Sequence, residues 1–176
     1  VKSVYKVKER EVVFMRGIEE IINDIEEVLQ NYCNNEIFDV DIEIGTDCAY
    51  CEYEDGSKGI TMALLFPSLS DKLFMYNMFN NGLKYDCGDF IASFCHEIGH
   101  YHTLNWLTEE ERNDIMTIKE QLDGNLVEDN LIYQQLLDEK LATDWAIEYI
   151  NSNKRKLSCL AKQLQKLVAE IDLEEE

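Results

Sequence analysis

The segment His96-Glu-Ile-Gly-His-Tyr-His102 constrains this chain more than any other stretch. It sits in a segment that reads as helix, where positions i and i+4 lie one turn apart on one face. His96 and His100 can therefore present imidazole nitrogens to a single metal ion. Glu97 is rotated about a quarter turn from that axis, placed to take a proton from a metal-bound water rather than to ligate the ion. Zinc suits this donor set. His102, the third histidine, is expected to be an ordinary packing or surface residue.

With 176 residues, the chain is long enough for one domain, 1–176, with a real core. One proline and eight glycines in a 45% hydrophobic composition argue for a folded, mostly helical chain. No run approaches 18 uninterrupted apolar residues, and the first 16 residues carry no signal-peptide core, so no membrane span and a cytoplasmic location are expected. The six cysteines are scattered, and free thiols are the expectation. Cys48-Ala-Tyr-Cys51 lacks two further ligands, so ordinary thiols near a strand end are preferred to a structural zinc. Cys95 is expected to pack away from the metal face.

Sixteen basic residues face 36 acidic ones, a net charge of −20. Residues 17–150 hold six Lys or Arg against 29 Asp or Glu, which disfavours direct binding to nucleic acid. A solvated, soluble surface accounts for the charge most simply. An acidic face that attracts a basic partner or imitates DNA phosphates is the functional alternative.

Along the chain, Val13, Phe14, Ile18, Ile21, Ile22, Ile25, Val28 and Leu29 recur at three and four, predicting an amphipathic helix from about Arg10 to Tyr32. Residues 38–44 alternate apolar and acidic, a strand with one wet face. Asp47 to Lys58 reads as polar turn, Ile60 to Phe66 as a second strand, and residues 68–82 as either strand or buried helix, with a third strand attractive there. The metal helix is expected to begin near Asp86 or Asp89 and run to about Leu104, its buried stripe being Phe90 or Ile91, Phe94 and Ile98. Gly99 lies between the histidines, where its small size permits close approach of another segment. Thr108-Glu-Glu-Glu111 predicts a capping box opening a helix to about Gln121, with Gly124 as the break. One long helix comes next, from about Glu128 to Ile150. A C-terminal amphipathic helix over about 156–172 carries Leu157, Leu160, Leu164, Leu167 and Ile171; packing back on the domain, as in a monomer, is preferred, with a partner helix as the alternative, and the sequence leaves the oligomeric state open. The pattern predicts an α+β chain, mostly helical, with a small mixed or antiparallel sheet beside the His-Glu-x-x-His helix.

Two histidines do not hold catalytic zinc; a third protein ligand and an open position are needed. Glu139 is the choice within the 128–150 helix. Its own face carries Ala142, Thr143 and Ala146, small enough for close approach to the metal helix, while Leu137, Leu141 and Trp145 form a separate stripe expected to anchor the helix in the core. Asp138, Asp144 and Glu148 compete for the role.

His96-Glu-Ile-Gly-His-Tyr101, followed by Glu139-x-x-Ala142-Thr143-x-Trp145-Ala146, resembles the ImmA/IrrE family of zinc metallopeptidases, common in bacteria, phages and mobile elements. The resemblance spans roughly Asp86 to Tyr149. It implies a gluzincin-like core with His96, His100 and Glu139 as zinc ligands and Glu97 as general base, and proteolysis of a transcriptional repressor or regulator. Thr143 departs from the family's Asn or Asp, Ile147 from its second Ala, and Glu148-Tyr-Ile-Asn-Ser from its Leu-Leu-Met-Pro ending. Tyr101, His102 and Tyr133 are candidate oxyanion donors, and Asp144 a candidate partner for a ligand histidine, although five residues from Glu139 is a poor helical match. The reading from another class is a non-catalytic acidic binding protein, an antirepressor or DNA mimic, with a structural or degenerate metal site.

Overall fold

The computed structural model describes residues 17–34, 37, 39–43, 48–63, 88–123 and 126–171. Helix α1, Ile18–Tyr32, buries Ile21, Ile25 and Leu29 on one face. It ends where Asn34 takes a positive φ of 52°, a conformation asparagine tolerates better than most residues. The expected start near Arg10 lies outside the described residues. Two side chains of α1 tie it to the sheet and its approach: Gln30 donates to the Ile37 carbonyl at 2.6 Å, and Glu26 accepts the Ile42 backbone N–H at 2.9 Å.

Strand β1, Asp39–Glu43, follows the period-two pattern: Val40 and Ile42 are buried, while Asp39, Asp41 and Glu43 face water. Strand β3, Lys58–Ala63, buries Ile60 and Met62 and pairs with β1 in parallel, Val40 opposite Ile60 and Ile42 opposite Met62. Between them in sequence lies β2, Ala49–Glu52, paired antiparallel to the other edge of β3 with Tyr50 opposite Ile60. The sheet is therefore mixed, in order β1-β3-β2.

The polar, turn-rich stretch 47–58 also holds a strand that its composition does not announce, β2. Ala-Tyr-Cys-Glu carries no β-branched residue and no alternation, so its strand character comes from pairing with β3. Among the described residues of this stretch, the turn is 53–57, with Gly56 at φ 83° and Asp55 accepting from the Ser57 backbone and hydroxyl. The third strand expected within 68–82 falls outside the described residues; the third strand observed is β2.

Helix α2, Gly88–Thr103, contains Asp89 within it rather than as its cap; Asp86 lies outside the described residues. Ile91, Phe94, Cys95 and Ile98 are buried, and Phe94 meets Tyr32 of α1 edge-on at 6.1 Å. A single 3-10 turn, Leu104–Trp106, leads to α3, Glu109–Lys119. The capping box forms as expected: Thr108 Oγ1 accepts the Glu111 N–H at 3.2 Å, and Glu111 accepts the Thr108 N–H at 2.8 Å. Gly124 lies outside the described residues.

The single helix expected over 128–150 is two. Helix α4, Val127–Tyr133, stops at Gln134, and α5, Leu137–Ser152, starts after Leu136 takes an extended backbone. No glycine or proline marks this break; burial of Leu136 in a small cluster with Leu107 and Ile115 accompanies it. The expected Leu137-Leu141-Trp145 anchor is corrected in part. Leu137 is exposed, Leu141 is half-buried against that small cluster, Trp145 packs half-buried against the main core, and the fully buried apolar face of α5 is Ala142, Ala146 and Ile150. Small residues win the inner face because α2 and α5 lie so close that larger side chains would not fit.

Helix α6, Lys154–Ile171, buries Leu157, Leu160 and Leu164 and packs along α1. At roughly 1.5–3 kcal/mol for each buried leucine, this seam contributes to the protein's own core, as its packing back on the domain requires. The chain is thus α+β, mostly helical with a small mixed sheet. No helix among the described residues is long and apolar enough to cross a membrane.

Candidate metal centre

His96 and His100 project from successive turns of α2 with their rings nearly perpendicular and Nε2 atoms 3.1 Å apart. Glu139, in the first turn of α5, brings Oε2 to 3.1 Å from His96 Nε2 and 3.5 Å from His100 Nε2. Donors about 2.0–2.2 Å from a tetrahedral zinc stand roughly 3.3–3.6 Å from one another; one spacing here, 3.5 Å, lies in that range and two, at 3.1 Å, lie just under it, so a slight spreading of the three atoms would seat an ion. Two imidazoles and a carboxylate converging on one point, all largely buried, need a shared cation or protons between them. Among the described residues this is the one group of three or more such donors close enough to hold a metal.

Close packing of α2 and α5 makes this convergence possible. Gly99 lies against Ala142: a Cβ at position 99 would come within 2.9 Å of the Ala142 Cα and clash with its carbonyl oxygen. The close approach expected at Gly99, and the small face expected beside Glu139, are both present.

Of the four carboxylates weighed, Asp144 and Glu148 are exposed, and Asp138 is buried but turned to Lys119, 2.7 Å away. Asp144 is not the carboxylate partner of a ligand histidine; Thr143, one residue earlier, places Oγ1 3.4 Å from His96 Nδ1. Such a contact orients the ring so that Nε2 faces the ligand point.

Glu97 is buried, and its carboxyl is held above the ordinary range by burial, with the Glu139 charge adding, against the pull of His96 and His100. The Tyr50 backbone of β2 donates to it. A buried carboxyl poised above its usual pKa suits proton transfer near neutrality. Burial opposes the charged form of both remaining partners, yet their pairing prevails. The His100 pKa is raised, chiefly through Glu139, and that of Glu139 is lowered well below the carboxylate range through His100 and His96.

The three candidate oxyanion donors separate. Tyr133 lines the same cleft of about 540 Å³ as His96, Glu97, His100 and Glu139. Burial, the Glu139 charge and a hydrogen bond to Glu139 push its phenol up, so at neutral pH its hydroxyl is protonated and engaged by Glu139 and Lys119. Tyr101 meets Tyr50 edge-on and lies under Lys58. His102 lines a different cavity and stacks on Trp145 at 4.6 Å, whose other neighbour in the stack is Tyr149 at 4.8 Å. This is the packing role expected of the lone histidine. Cys95 is fully buried; Cys48 and Cys51 stand beside and on β2 and are in no disulfide.

Lys119 was not singled out by its sequence context. Its ammonium reaches Asp138 at 2.7 Å, Glu139 Oε1 at 2.8 Å and the Tyr133 hydroxyl at 3.2 Å. The available signal was its rarity: it is one of six basic residues in 17–150.

No protein-family model, curated protein or solved structure matches the chain.

Proposed function

We propose that the chain is a zinc-dependent metallopeptidase in which His96, His100 and Glu139 hold the ion and Glu97 is the general base. The observation that carries this reading is the convergence of the three donor atoms beside a buried Glu97 in an open cleft. Zinc bound there would supply Lewis acidity to a water and to the scissile carbonyl. Glu97 takes the proton of the attacking water and returns it to the leaving amine. Tyr133, the one candidate donor in the cleft, donates to the developing oxyanion by turning its proton away from Glu139.

The resemblance to the ImmA/IrrE family supports extending the proposal to a gluzincin-like core and a substrate that is a transcriptional repressor or regulator. The net charge of −20 favours a second reading, an acidic protein that sequesters a basic regulator. Glu97→Gln separates the two. A peptidase variant keeps its metal but loses about 10²-fold or more of its cleavage of a peptide library, read by mass spectrometry; a binder retains its biological effect. Unchanged cleavage in the variant removes Glu97 from the mechanism.

A further inference from the structure

We infer that Lys119 is a positioning residue that reserves one oxygen of Glu139 and so makes this carboxylate a one-oxygen ligand. The inference rests on the metal-site reading. Glu139 is divided between two neighbourhoods: Oε2 faces His96 and His100, while Oε1 lies 2.8 Å from Lys119 Nζ. An ammonium has three protons to donate. Here it meets three acceptors, Glu139 Oε1, Asp138 Oδ2 and the Tyr133 hydroxyl, and also lies 4.5 Å from the Tyr133 ring centroid. Its position is therefore determined from several directions, unlike that of a surface lysine in one exposed pair.

The arrangement joins three elements. The histidines come from α2, Glu139 and Asp138 from the first turn of α5, and Lys119 from the last turn of α3, a helix whose start is fixed by the Thr108 capping box. Asp138 and Glu139 are adjacent, buried carboxylates, and Lys119 gives them a shared counter-charge. With Oε1 engaged, Glu139 contributes one donor. Three protein donors then leave a fourth position for water or a substrate carbonyl, the open coordination that catalytic zinc needs. Without Lys119, Oε1 loses its cationic partner and is held back less strongly from the ion and from that position.

Cobalt(II) substitution reads the coordination number directly, because four-coordinate cobalt absorbs visible light more strongly than five-coordinate cobalt. Wild type is expected to give the intense four-coordinate spectrum. Lys119→Met keeps the aliphatic stem but loses the ammonium; it is expected to give the weaker spectrum and a metal affinity lower by about ten- to a hundred-fold. Lys119→Arg, which retains charge and donors, is expected to keep the four-coordinate signature. Circular dichroism identifies the folded variants, and Lys119→Gln is the second neutral variant should Lys119→Met fail to fold. A folded neutral variant with the wild-type spectrum and affinity overturns the inference alone. Wild type that takes up no cobalt overturns it together with the metal-site reading.

Discussion

Substituting Gly99 by alanine sets two effects of opposite sign against each other. Gly99 is within α2, so alanine should stabilise the helix by about 1 kcal/mol. Its methyl, however, would fall 2.9 Å from the Ala142 Cα and 3.0 Å from its carbonyl carbon, where ordinary contacts are 3.4–4 Å. The obstructing atoms are backbone on a packed helix, so relief requires α2 and α5 to separate by roughly 0.5–1 Å, at an overpacking cost of about 1–3 kcal/mol. Stability of the metal-free protein is therefore expected to fall by up to about 2 kcal/mol, read by urea unfolding in the presence of a chelator. Metal affinity suffers more, because the same separation carries Glu139 away from His96 and His100, and ligand distances tolerate only about 0.2 Å. Competition with a chromophoric chelator should show zinc affinity reduced at least about tenfold, or about 1.4 kcal/mol. A Gly99→Ala protein that is more stable than wild type and binds zinc equally well would refute the close packing on which the site depends.

The pH dependence of stability should change sign with metal. Without metal, His100 with its raised pKa and Glu97 with its raised pKa contribute stability at low pH that is lost as pH rises. The contribution of Glu139, with its lowered pKa, is already present above about pH 5. The melting temperature of chelator-treated protein should thus fall from about pH 5 to 8, whereas with zinc, which competes with protons for the same donors, it should rise across that range; parallel profiles would contradict the assignment. Leu164→Ala, at a fully buried position of α6, should cost about 2–5 kcal/mol in urea unfolding. That loss should not depend on protein concentration, since the seam packs on α1 of the same chain; a concentration-dependent loss would point to a shared helix interface instead.

Legibility followed the range of the interactions involved. The seams of α1 and α6, the alternation in β1 and the Thr108 capping box are local patterns whose physics is contained in a few neighbouring residues, and each appears where its pattern lies. The meeting of His96, His100 and Glu139 was legible for a related reason: helical spacing puts His96 beside His100, and the small residues after Glu139 mark the face that can approach Gly99. Strand β2 and the break between α4 and α5 were not legible. Ala49–Glu52 becomes a strand by pairing with β3, and Gln134–Leu136 leave the helix without a breaking residue, with Leu136 buried beside Leu107 and Ile115. Lys119 was hidden for the same reason, since its three acceptors lie 14 to 20 residues further along the chain. Thr143, in sequence a small residue on the face of Glu139 and a departure from the family's Asn or Asp, stands beside His96.

The metal site stands or falls on the metal content of protein purified without added metal, for wild type alongside His96→Ala and Glu139→Ala. About one zinc per wild-type chain is expected, and that zinc should be lost in both variants. Wild-type protein that carries no metal and takes none up when zinc is supplied would contradict the metal site, leaving the acidic binding protein as the better reading.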